Sequence, residues 1–336
     1  MIVTIRPGYA PEDVKRGLAT LGLWVVALRE HSATAEGSSP PQFVVEPHSR
    51  AVSERDILAL EGVASVFAPD SKHPRLDEQP RTVEVGPHAI GRDAPFAFIA
   101  GPCSLDTEDR IRTLASQMAK AGARFLRGGA FKPRTSPYAF QGRGPEALEW
   151  MRKAARDFGM AVVTECMSEY DVEVVAEYAD LVQVGSRNMQ NYALLKHIAR
   201  AGRPVLLKRG MAATVEEWLL AGEYLRAHGC PGVVFCERGV RGFDPLTRNL
   251  LDLGAVALIA HVHGFPVVVD PSHGTGRRDL VPPLCRAARA LGAHGVMAET
   301  HDDPGRALSD GPQALDPTAM MALAEELTRK PRGDNV

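Results

Sequence analysis

The sequence predicts an α/β protein whose main body is a (β/α)₈ barrel, preceded by a small ferredoxin-like α+β domain. Three observations carry this. Short apolar runs alternate with amphipathic segments through the last two-thirds of the chain. Eight such units fit into roughly 240 residues, the usual size of that barrel. No G-x-G-x-x-G opens a first helix, which counts against the competing open, doubly wound sheet.

Taken in order, Met1–Ile5 reads as a strand, Pro11–Leu21 as a helix stopped by Gly22, and Leu23–Leu28 and Phe43–Glu46 as further strands. Ser53 caps a short helix over Glu54–Leu60, and Val63–Phe67 closes a β-α-β-β-α-β set, the split βαβ pattern. This gives a domain over 1–70, with no catalytic cluster in it. Residues 71–85, polar and proline-bearing, read as a linker, and 86–330 as the barrel. The barrel strands are Phe96–Ala100, Arg124–Arg127, Ala161–Thr164, Leu181–Val184, Val205–Leu207, Val233–Phe235, Pro266–Val269 and Gly295–Ala298. The segments between them often end in glycine, the expected helix stop.

Composition narrows the function. A hydrophobic fraction of 45% and a charged fraction of 24% are ordinary for a globular chain of 336 residues. A net charge of −2 supplies no basic field for nucleic acid or an anionic membrane. The apolar stretch Leu251–Val269 is interrupted by His261, His263 and Pro266, so no membrane span is expected. Five scattered cysteines without C-x-x-C, and no secretory pattern at the start, set the expectation of a reducing cytoplasm.

A (β/α)₈ barrel places its site at the carboxyl ends of its strands, so the residues after each run carry the chemistry. Two sets emerge. Cys103, His273, Glu299 and Asp310 follow runs one, seven and eight, which adjoin when the barrel closes. A thiolate, an imidazole and two carboxylates suit one divalent transition metal with a position open to substrate. Each has a structural alternative: Cys103 as a small buried apolar residue, Glu299 paired with an arginine, Asp310 capping a turn with Gly311. The second set is Arg127, Lys132, Arg134, Arg187, Lys208 and Arg238. Six cations aimed at one pocket repel one another unless anions neutralise them, and they suffice for two phosphate groups. Some pairing is expected, of Arg187 and Arg238 with Glu165 and Glu237. The bottom-up reading is a metal-assisted enzyme acting on small, multiply anionic substrates.

Six motifs in fixed order then carry a resemblance. They are Gly101-Pro102-Cys103-Ser104, Lys132-Pro133-Arg134-Thr135-Ser136-Pro137, Gly185-Ser186-Arg187-Asn188-Met189, Cys236-Glu237-Arg238-Gly239, Asp270-Pro271-Ser272-His273-Gly274 and Leu308-Ser309-Asp310-Gly311. Together they resemble the 3-deoxy-D-arabino-heptulosonate 7-phosphate (DAHP) synthases, type I beta branch, over residues from about 85 to 325. The resemblance implies a transferase that condenses phosphoenolpyruvate with erythrose 4-phosphate, the entry step of the shikimate pathway to the aromatic amino acids. It implies one divalent ion (manganese, iron, cobalt or zinc) on Cys103, His273, Glu299 and Asp310. Phosphoenolpyruvate contacts fall on Arg127, Lys132, Arg187, Lys208 and Arg238, and erythrose 4-phosphate is expected at Arg134, Thr135 and Ser136. Catalytic roles fall on Lys132, as donor of a proton to the nascent alkoxide, and on Cys103 and His273. The 1–70 domain resembles the regulatory domain of some members, so an aromatic amino acid effector and allosteric gating are expected, as is a homo-oligomer, commonly a tetramer.

Two rival readings stand beside this one. A 3-deoxy-manno-octulosonate 8-phosphate synthase would use arabinose 5-phosphate, but is expected to carry Lys-Ala-Asn-Arg-Ser where this chain has Lys132-Pro133-Arg134-Thr135-Ser136. A non-catalytic binding module for anionic metabolites would hold phosphate without turnover.

Overall fold

The structure, a computed structural model, describes residues 1–28, 40–132, 136, 138 and 140–328. It divides into two compact units, Met1–Lys72 and His73–Val336.

In the first unit β1 (Ile2–Ile5), α1 (Pro11–Thr20), β2 (Val25–Ala27), β3 (Gln42–Val45), α2 (Glu54–Leu58) and β4 (Val63–Phe67) follow one another as the sequence predicts. The sheet is antiparallel in the order β2-β3-β1-β4, so each β-α-β crossover spans an intervening strand. Val3 and Ile5 point to the helix side and meet Val14, Leu18 and Ile57, forming a small core of their own. Ser53 caps α2 by accepting from the Asp56 amide.

The second unit opens differently from the linker expected over 71–85. It carries α3 (Pro74–Asp77) and β5 (Thr82–Val85), and β5 pairs with β6 (His88–Gly91) in an antiparallel hairpin. The reasons are local. Leu76 is fully buried, and Glu223 caps α3 through the amides of Arg75 and Leu76, 3.1 and 2.7 Å away. Val83, Val85 and Ile90 join the apolar cluster inside the barrel and plug its amino-terminal end. Within 71–85 the buried apolar side chains are Leu76, Val83 and Val85, and three such residues dispersed among prolines and charges escape a composition argument.

The barrel closes through β7 (Ala97–Gly101), β8 (Phe125–Arg127), β9 (Ala161–Glu165), β10 (Leu181–Val184), β11 (Val205–Lys208), β12 (Val233–Glu237), β13 (Val267–Val269) and β14 (Gly295–Glu299). All eight neighbouring pairs are parallel, β14 against β7 included. The short α10 (Pro271–Thr275) directly follows β13. The major outer helices are α4 (Glu108–Lys120), α5 (Pro145–Asp157), α6 (Val172–Tyr178), α7 (Tyr192–Arg200), α8 (Val215–Ala227), α9 (Leu253–Ala257), α11 (Val281–Leu291) and α12 (Pro317–Thr328). Their apolar faces meet the outward strand residues in one continuous core that includes Phe98, Leu126, Trp218, Phe235 and Phe265. No described helix is long and apolar enough to cross a membrane.

Several strands run one or two residues beyond their last apolar side chain, ending on Gly101, Glu165, Lys208, Glu237 and Glu299. Side chains alternate along a strand. Ile99, Phe125, Val163, Leu181, Leu206, Cys236, Val268 and Met297 lie in the inner cluster. Counting two residues on from each gives Gly101, Arg127, Glu165, Gln183, Lys208, Arg238, Asp270 and Glu299. The same alternation that fills the barrel with hydrocarbon therefore lays a polar ring over its carboxyl end.

Gly101 is the one position in that ring without a side chain, and space demands it. A β-carbon there would lie 1.9 Å from the Arg127 carbonyl oxygen, at a φ of +154° that side-chain-bearing residues rarely adopt. Gly101→Ala is therefore expected to push β7 from β8 and cost about 3 kcal/mol. Urea unfolding of the variant against the parent chain checks this.

Candidate active site

The polar ring and the loops above it enclose a cavity of about 310 Å³, bordered by Arg127, Lys132, Arg187, Lys208, Arg238 and Arg248 among other residues. The expected metal donors stand at one side. One ligand atom each from Cys103, His273, Glu299 and Asp310 can be chosen so that all lie within 4.8 Å of one another. Donors bound at about 2.0–2.3 Å to one ion stand at most about 4.6 Å apart, so this spread fits a single ion after small adjustments. Four residues spread over more than 200 positions of sequence thus share one point, as expected from adjoining strand ends.

Each donor is held by a distinct device. Cys103 follows β7, and its Sγ lies 3.0 Å from Asp310 Oδ2, 3.1 Å from Ser309 Oγ and 2.9 Å from Lys132 Nζ. Burial, reinforced by the Glu299 charge, pushes its thiol up to about 12. With Lys132 and Arg127 already favouring its charge, that thiol needs a further cation, such as a bound metal ion, to become a thiolate ligand. His273 sits in α10, whose first turn is capped by Asp270 Oδ1 accepting from the His273 amide. Its Nδ1 faces Asp270 Oδ2 at 2.8 Å, which leaves Nε2 directed to the cluster, 3.3 Å from Glu299 Oε1. Glu299 is fully buried at the end of β14, receiving Arg127 at 2.9 Å and Gln313 Nε2 at 2.6 Å. Burial acts against its charge, yet His273 and then Arg127 hold the carboxyl below its ordinary range. Asp310 is the one non-glycine residue with positive φ, at 54°, among the described residues. A hydrogen bond with Cys103 and the His273 charge overcome burial there and keep it ionised. Asp tolerates this left-handed conformation better than most residues.

The cations divide into two groups. Arg127, Lys132, Lys208 and Arg238 are buried at the cavity wall, whereas Arg187 is exposed at its rim. Arg127 NH1 donates to Glu299 and to the Pro102 carbonyl, while its Nε is buried without a partner. Burial lowers the pKa of Arg238, the direction expected where no carboxylate is bound to it directly. The pairing expected of Arg187 and Arg238 with Glu165 and Glu237 does not occur. Glu237 instead binds Arg209 at 3.1 Å, and Gln183 donates to Glu165 at 3.1 Å. Alternation explains the first case: Arg238 faces inward, while Glu237 and Arg209 lie on the outer face of the sheet. Ser136 is exposed, and Arg134 and Thr135 lie outside the described residues.

Three polar cavity residues, and one fully buried carboxylate beside them, escaped the reading of strand ends. Gln183 is hidden inside the run Leu181–Val184, and Asp270 was read only as part of the loop bearing His273. Arg248 and Asn249 belong to the long loop after β12. A bridge between Val240 and Leu250 folds that loop back, so that Arg248 reaches Asp310 at 3.4 Å and Asn249 Nδ2 donates to the His273 carbonyl at 3.1 Å. Nothing local in the sequence marks that return.

The sequence profile of the DAHP synthetase I family matches residues 76–330. The chain belongs to that family. Along the whole length it is 40% identical, over 331 residues, to the phospho-2-dehydro-3-deoxyheptonate aldolase of Thermotoga maritima, covering 98% of this chain and 97% of that protein. The crystal structure of that DAHP synthase superposes with a TM-score of 0.73, at 40% identity, over 97% of this chain and 95% of its own. A 2-dehydro-3-deoxyphosphooctonate aldolase of Methylibium petroleiphilum is 34% identical over 266 residues, which is 71% of this chain and 91% of that one. The similarity to the octulosonate enzyme is both weaker and shorter.

Proposed function

We propose that this member of the DAHP synthetase I family condenses phosphoenolpyruvate with D-erythrose 4-phosphate, giving DAHP and phosphate. The observation that carries the reading is the meeting of a thiol–imidazole–dicarboxylate cluster with a cavity walled by buried, incompletely neutralised cations. The full-length relationship to a DAHP synthase supports it over the octulosonate alternative.

In this reading Cys103, His273, Glu299 and Asp310 hold one divalent ion. Thiolate, imidazole and carboxylate donors together accept manganese, iron, cobalt or zinc. When bound, the ion supplies Lewis acidity to the aldehyde oxygen of the sugar phosphate. The chain's own residues do the rest. Arg127, Lys132, Arg187, Lys208 and Arg238 bind the phosphate and carboxylate of phosphoenolpyruvate and fix its orientation. Arg134, Thr135 and Ser136 receive erythrose 4-phosphate. Carbon 3 of phosphoenolpyruvate bonds to the aldehyde carbon, water adds at carbon 2, and phosphate leaves with cleavage of the carbon–oxygen bond. Lys132 donates a proton to the forming alkoxide; its Nζ stands 2.9 Å from Cys103 Sγ, beside the place where that oxygen develops.

The deciding assay follows phosphoenolpyruvate consumption and phosphate release with erythrose 4-phosphate and, separately, arabinose 5-phosphate. Turnover is expected with the first. Turnover confined to the second assigns the octulosonate reaction, and phosphate-tight binding without turnover assigns a binding module.

The 1–72 unit is proposed as the effector-binding part of the enzyme, with tyrosine or phenylalanine as its ligand. Its ferredoxin-like topology supports this. Removing residues 1–72, which leaves α3 and its Glu223 cap intact, is expected to abolish inhibition by both amino acids while retaining turnover. A truncated chain that either amino acid still inhibits would place the effector site in the barrel.

A further inference from the structure

We infer that Asp270 couples the two halves of the site, so that the divalent ion and phosphoenolpyruvate tighten each other's binding through this one carboxylate. The inference rests on the reading of the pocket given above and deepens it. Asp270 follows β13 and is fully buried. Its Oδ1 is occupied by the His273 amide at 3.0 Å. Its Oδ2 serves two donors at once: Lys208 Nζ at 2.5 Å and His273 Nδ1 at 2.8 Å. Lys208 borders the anion cavity, and His273 turns its other nitrogen to the metal donors. One oxygen therefore joins an anion-binding cation to a metal-binding imidazole.

Two donors on one oxygen compete, and in a dry site the competition is strong. An anion bound at Lys208 draws the ammonium away from Oδ2. The Nδ1–H of His273 then has that oxygen more nearly to itself, and the imidazole becomes the better electron donor at Nε2. The ion is held more tightly. In the opposite direction, an ion on Nε2 makes Nδ1–H the stronger donor to Oδ2 and loosens Lys208 for the incoming anion. Linkage requires the two effects to be equal. Direct attraction between ion and anion adds to this, and it does not pass through Asp270.

The test compares the parent chain with Asp270→Asn, which keeps the Oδ1 cap and removes the shared anionic oxygen. Manganese affinity is measured by calorimetry on metal-free protein, with and without saturating phosphoenolpyruvate. The variant is expected to bind manganese about 10–100-fold more weakly. A merely structural role would give that loss too, so the deciding quantity is the coupling factor, the ratio of the two manganese affinities. It is expected to fall more than about threefold in the variant, out of the 5–150-fold range usual for such coupling. A smaller fall overturns the inference. A parent chain that binds neither manganese nor phosphoenolpyruvate overturns the reading of the pocket itself, a separable outcome.

Should Asp270→Asn not fold, the parent chain answers alone. With ¹⁵N-labelled histidine, the His273 Nδ1–H proton, assigned by its loss in His273→Gln, is expected to move downfield when phosphoenolpyruvate is added. A proton that does not move overturns the coupling.

Discussion

Cys103→Ala is expected to lower turnover by at least about a thousandfold, and removal of divalent ions with EDTA to do the same to the parent chain. The argument is electrostatic. Glu299 and Asp310 are both held ionised within 4.8 Å of one another, and Glu299 is fully buried. Arg127 and Arg248 offset part of that charge, at 2.9 and 3.4 Å, but a divalent ion offsets it at the point where the donors converge. Losing the thiol would remove one of the four residues that would hold the ion, and with it the Lewis acidity the ion would supply to the aldehyde oxygen. Several kcal/mol of transition-state stabilisation go with it, which is three or more powers of ten in rate. The measurement is kcat of the variant across added manganese, iron, cobalt and zinc, alongside metal content by atomic emission. Activity surviving complete metal removal would assign the chain to a metal-independent mode of condensation, and the cluster would then be a hydrogen-bonded network alone. Restoration of the EDTA-treated parent chain by one ion but not others would name the metal that suits this donor set.

Much of this site was legible because a barrel converts sequence into geometry by simple rules. Strands end toward one face, and residues two apart share a side. Cys103, His273, Glu299 and Asp310 could be brought together from chain order alone, since the first and eighth strands must meet. What escaped obeys the same rules at finer grain. Gln183 is polar within an apolar run, and only the parity of its neighbours shows that it points inward above Leu181. Glu237 and Arg238 are adjacent in sequence and therefore on opposite faces, so the expected ion pair was excluded by strand geometry before any question of charge. Arg248 was invisible because a bridge between Val240 and Leu250 decides where it points. The segment taken as a linker shows the limit from the other direction. Composition counts residues, whereas a fold is built from the few that are buried: Leu76, Val83 and Val85 here.

Lys132→Met is expected to lower kcat by about 10²–10⁴-fold, the range for losing a positioned proton donor. Lys132 is buried, and its Nζ donates to both the carbonyl oxygen and the Sγ of Cys103, each at 2.9 Å. Those two acceptors aim the ammonium at the metal side of the cavity, where the aldehyde oxygen gains charge as the new carbon–carbon bond forms. Methionine fills a similar volume and keeps the packing, but donates nothing. The substitution also strips the Cys103 sulfur of its nearest cation, so two effects must be separated. If proton donation dominates, metal content stays close to that of the parent chain and KM for phosphoenolpyruvate changes far less than kcat. If support of the thiolate dominates, metal affinity falls first and excess metal restores the rate. Near-normal turnover at saturating substrates would remove Lys132 from proton transfer altogether. The donor would then have to be another group within reach of the same oxygen, and bound water is the obvious candidate.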